Sequence, residues 1–109
     1  MDLKQIKYDT WPAELSAHVC VLNLSIDSVA RIFNLELQRG GDDLDDTLEA
    51  VVKLPESEEI IGFVRHLNDP AKGVEIFAKP GTKLENVLKP LRFTKNDIAW
   101  PKPPAPTRR

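Results

Sequence analysis

Three runs of alternating side chains, joined by short connections, constrain this chain more than any other feature. In residues 47–54, Leu48, Ala50, Val52 and Leu54 alternate with Glu49, Val51 and Lys53. A period of two places one set on each face of a strand, so the run reads as a half-buried β-strand. Pro55-Glu56-Ser57-Glu58 has turn composition. Residues 59–67 are rich in Ile, Phe and Val and read as a more buried strand, and in 74–79 Val74, Ile76 and Ala78 alternate with Glu75, Phe77 and Lys79. The link between these two is Asn68-Asp69-Pro70-Ala71-Lys72-Gly73. Parallel neighbours need a crossover of about a dozen residues or more, so connections this short imply an antiparallel meander.

Helical patterning flanks the meander. After the Pro80-Gly81 turn, Thr82-Lys83-Leu84-Glu85 has the form of a capping box. Leu84, Val87, Leu88 and Leu91 then fall on one helical face. Pro90 cannot donate to the carbonyl of Asn86, so this helix must be short. Thr94-Lys95-Asn96-Asp97 reads as a turn and Ile98-Ala99-Trp100 as a last short strand. Upstream, Leu15, Val19, Leu22, Ile26, Val29 and Phe33 share a helical spacing, yet Ser25 is a good N-cap and Gly40-Gly41 a natural stop. The reading therefore breaks at Ser25, with a helix to about Gln38; residues 12–24 suit either helix or strand. The expected fold is α+β, a single domain over residues 1–100. It would hold a three- or four-stranded antiparallel sheet, mainly residues 47–79, packed by two or three helices. Residues 101–109 carry four of the nine prolines and no large apolar side chain, and are expected to be an extended or disordered basic tail.

The formal net charge of -2 conceals opposed blocks. Residues 1–35 hold four acids and three bases, residues 36–59 nine acids and two bases, and residues 60–109 four acids and ten bases, giving -1, -7 and +6. A small net charge excludes the bulk basicity of a histone-like binder, while the acidic block points to a basic partner. The one cysteine, Cys20, cannot form an internal disulfide, and its apolar neighbours Val19, Val21 and Leu22 suit a small buried hydrophobe. Residues 1–7 lack the apolar core of a secretory signal, and Val19–Leu24 is too short to span a bilayer. A cytoplasmic protein without a membrane partner is expected.

Gly40-Gly41-Asp42-Asp43-Leu44-Asp45-Asp46 has the carboxylates of a metal loop but misses the calcium-loop pattern, so a solvated connection without metal or cofactor is expected. Asp43 with Asp46, or Asp45 with Glu49, would be carboxylate pairs for acid–base work, though no adjacent His, Ser or Cys completes a site. His66 sits at a strand end, where the nearby Asp69 could orient it as a general base; the plainer reading is an exposed residue beside a turn. His18 and Cys20 would share a face if their segment is a strand, but two ligands do not make a zinc site. Residues 25–35 resemble the first helix of a helix-turn-helix motif. The resemblance implies a basic recognition helix next, whereas Arg39-Gly40-Gly41 and four aspartates follow, which phosphates repel. Pro103, Pro106 and Arg108 stand at P-x-x-P-x-R spacing, which suits docking to an aromatic groove with an acidic rim.

With no catalytic constellation assembled, the expected function is a non-enzymatic protein-interaction protein. It would be of immunity, antitoxin or regulatory type, meeting a basic partner through Asp42, Asp43, Asp45, Asp46 and Glu49. The alternative is a small metal-dependent hydrolase or nuclease using the Asp/Glu cluster and His66. Homo-oligomerisation through a sheet edge is a third expectation.

Overall fold

The alternating runs fold as their period demands. A computed structural model describes residues 2–41, 45–70 and 73–101. In chain order the elements are β1 (Lys4–Ile6), β2 (Ala17–Leu22), α1 (Ile26–Phe33), β3 (Gln38–Gly41), β4 (Asp46–Lys53), β5 (Ile60–His66), β6 (Val74–Ala78), α2 (Leu84–Leu91), a 3-10 turn (Lys95–Asp97) and β7 (Ile98–Trp100). Every pairing is antiparallel. The strand order is β1-β4-β5-β6-β2-β7, with β3 beside β1 on the outer side of β4. No helix among the described residues is long and apolar enough to cross a membrane.

The expected sheet of three or four strands with two or three helices is corrected, among the described residues, to seven strands and two helices. The meander β4-β5-β6 stands where the alternation places it. The added strands come from segments without local alternation. Gln38-Arg39-Gly40-Gly41, taken as the end of a helix, instead pairs with Asp46–Glu49, and Lys4–Ile6 pairs with Val51–Lys53. Of the ambiguous residues 12–24, Ala17–Leu22 form the strand β2. Ser25 does cap α1, its hydroxyl accepting from the Ser28 N–H at 3.1 Å. The helix stops well short of Gln38 because Asn34 turns left-handed at φ 56° and its N–H returns to the Ala30 carbonyl. The capping box expected at Thr82–Glu85 is absent: α2 begins after Lys83 with no side-chain cap. One forms instead at Thr94, whose N–H donates to Asp97 Oδ2 at 2.8 Å.

Both helices cover the same face of the sheet. Ile26, Val29 and Phe33 from α1 and Val87, Leu88 and Leu91 from α2 close over Cys20, Leu22, Val52, Ile61, Phe63 and Ile76. Phe33 stacks on Phe63 with ring centroids 5.8 Å apart. The bulge between His18 and Cys20 keeps Ala17 and Cys20 on this face while turning His18 to the other, so His18 and Cys20 do not share a face as expected.

Among the described residues, the opposite face has no helix. Residues 7–16 cross it, with Leu15 buried and Trp11 seated over Gly62. A Cβ on Gly62 would come within 2.7 Å of Trp11 Cζ2, so a residue without a side chain is needed beneath the indole. Gly62→Ala is expected to cost about 1–3 kcal/mol in urea unfolding. In a Trp11→Ala background the same change should cost less than half as much. An equal cost in both backgrounds would show that the indole does not rest there.

Candidate functional site

The register of β3, β4, β5 and β6 sets out the helix-free face. Glu49 lies opposite Gln38 and Val64, Thr47 opposite Gly40 and His66, and Glu75 opposite Val64, so these residues share one side of the pleat. Residues 7–16 bring Tyr8 and Trp11 onto it. The result is a groove of about 510 Å³, walled by Tyr8, Trp11 and Phe77 and lined by residues that include Arg39, Thr47, Glu49 and His66.

Glu49 occupies the floor of the groove and is 8% exposed. The Tyr8 hydroxyl donates to its Oε1 at 2.8 Å, and the Thr47 hydroxyl to its Oε2 at 2.6 Å. Gly40 makes room: a Cβ there would stand 2.5 Å from both carboxylate oxygens. Gln38 Nε2 donates to the Tyr8 carbonyl at 3.1 Å and ties residues 7–16 to the sheet. Among the described residues, no Lys, Arg or His nitrogen forms an ion pair with Glu49. Its carboxylate is thus held by two neutral hydroxyls.

Aromatic rings continue from the groove across the face. Tyr8 meets Trp11 edge to face at 5.8 Å, Trp11 meets Phe77 likewise at 6.1 Å, and Phe77 stacks on His18 at 5.1 Å. His18 in turn stacks on Trp100 at 4.8 Å. A polar row accompanies them. His66 Nδ1 contacts Asp45 Oδ2, His66 Nε2 lies 3.5 Å from Glu75 Oε2, and His18 Nε2 lies 3.8 Å from the same oxygen. A histidine held between two carboxylates can store or pass a proton.

Of the five acidic residues of the expected partner site, the described ones, Asp45, Asp46 and Glu49, each contact different side chains. Asp45 contacts His66, while Glu49 accepts from Tyr8 and Thr47. Asp46 is exposed and pairs with Arg39 at 3.4 Å. Asp42 and Asp43 lie outside the described residues, as do Pro103, Pro106 and Arg108 of the tail motif. The carboxylates beside His66 are Asp45 and Glu75, and the Asp69 N–H bonds the His66 carbonyl. Among the described residues, no three His, Cys, Asp or Glu side chains converge as metal ligands would. Sequence reasoning missed Tyr8, Trp11, Thr47 and Phe77. The one available signal was the parity of β4, which puts Thr47, Glu49 and Val51 on one side.

No protein-family model, curated protein or solved structure matches the chain.

Burial, then the hydrogen bond to Glu49 and its charge, hold the Tyr8 phenol well above its ordinary value of 10.0. Tyr8 is the single tyrosine, so phenolate absorbance reports it alone. In the folded protein that absorbance should rise well above pH 10, and Glu49→Gln should bring it back toward 10. The unfolded phenol ionises first, so this contribution to stability is complete below about pH 10 and declines as pH rises beyond it. Burial likewise pushes the Cys20 thiol up to about 12, and Cys20 should resist a disulfide reagent at pH 8 until the protein unfolds.

Proposed function

We propose that the protein binds another protein, receiving a Lys- or Arg-bearing segment in the groove of its helix-free face. The observation that carries this reading is Glu49, a carboxylate more than nine-tenths buried that forms no ion pair among the described residues. An uncompensated buried charge is costly, and a cationic side chain entering the groove would relieve that cost. The aromatic walls supply apolar contact and ring faces that attract cations. Asp45 and Glu75 flank His66, and the acidic stretch at residues 42–46 would raise the rate of encounter with a basic partner. An immunity or antitoxin-type inhibitor of a basic toxin is one form of this function, and a regulatory binder is another.

The test is titration of the full chain with labelled basic peptides and acidic peptides of equal length. Basic peptides should bind, more weakly as salt is added, and Glu49→Gln should weaken them about tenfold or more. Equal binding of acidic peptides, or basic-peptide affinity unchanged by Glu49→Gln, would overturn the reading.

One contact favours a second reading. Asp45 against His66 is the orienting pair of a general base, which a hydrolase or nuclease would use, with a divalent ion on the neighbouring acids. Calorimetry with Mg²⁺ or Mn²⁺ would give heat and a raised melting temperature if it holds, and neither if it does not.

A further inference from the structure

We propose that the groove selects a lysine-type ammonium over a guanidinium; the inference rests on the binding function proposed above and specifies the group that is read. A carboxylate has two oxygens with about four acceptor sites. On Glu49 each oxygen already accepts one hydroxyl, from Tyr8 at 2.8 Å and from Thr47 at 2.6 Å. The Gly40 backbone lies against the same carboxylate, so closely that a Cβ there would stand 2.5 Å from both oxygens. With the residue 8% exposed, what remains is a narrow approach to an acceptor already held by two hydroxyls. Arginine forms its strongest pair by laying two parallel N–H groups along both oxygens, which needs their shared edge open. Lysine brings a compact charge with three donors on a slim stem, and one open acceptor suffices.

The walls suit that stem. Trp11 stands at 84° to Phe77 and at 87° to Tyr8, so the rings present differently directed apolar surfaces to one small volume. Methylenes can lie along them while the ammonium reaches the floor, and the ring faces add attraction for the charge. A groove of about 510 Å³ has room for one such side chain and part of the segment bearing it.

The test uses three peptides identical except at one central position, carrying lysine, arginine or norleucine, titrated calorimetrically against the full chain. Lysine should bind about tenfold more tightly than arginine, with norleucine weaker than both. In Glu49→Gln the three should converge. Tyr8→Phe keeps the charge of Glu49 but frees an acceptor site, so arginine should rise to within about threefold of lysine. This variant decides the matter if Glu49→Gln fails to fold. Arginine equal to or better than lysine in the unaltered protein would overturn the selectivity and leave the cationic-partner reading standing. Norleucine equal to lysine would overturn both.

Discussion

Two helices of eight residues cannot cover both faces of the sheet they pack on. Each is about 12 Å long, while six strands side by side span about 24 Å. Placing α1 and α2 together on one face gives the aliphatic core a continuous cover, with Phe33 on Phe63 at its centre. The other face must be sheltered by something else. Residues 7–16 provide the shelter, held by Gln38 at one point and seated on Gly62 at another. An irregular segment covers less evenly than a helix, and the groove is the space it leaves between Tyr8, Trp11 and Phe77.

The same arrangement accounts for the chemistry of that space. Strand parity points Glu49 toward the cover rather than toward solvent, and the cover brings Tyr8 to meet it. Thr47, two residues earlier on the same side, supplies the second hydroxyl. These donors are neutral hydroxyls, which separates Glu49 from the exposed Asp46 with its arginine. Farther along the face, Glu75 meets both histidines, and one of them reaches Asp45. Carboxylates are thus spread along a face that aromatic rings keep apolar, a combination suited to a partner with both charge and aliphatic length.

The central meander was legible because each strand carries its own period-two pattern, visible without knowledge of its neighbours. The cap at Ser25 was legible for the same local reason. β3 was not, since Gln38-Arg39-Gly40-Gly41 has neither alternation nor branched side chains and becomes a strand through its pairing with β4. Gly40 was read as a helix stop, whereas its value lies in the space it gives Glu49. The acidic character of residues 36–59 was plain, but its division between two faces depended on strand parity. The contribution of Tyr8 and Trp11 was hidden altogether: nothing local in residues 7–16 says that they cross β5 rather than run beside it.

The central claim is that the helix-free face, and Glu49 within it, receives a cationic segment. Backbone amide shifts recorded during addition of a lysine-bearing peptide test it most directly, because they locate binding as well as detect it. The account predicts shifts concentrated at Tyr8, Trp11, Gly40, Thr47, Glu49 and Val64, with the amides of α1 and α2 unmoved. Shifts confined to the helical face, or spread evenly over exposed acidic residues with none in the groove, would contradict it.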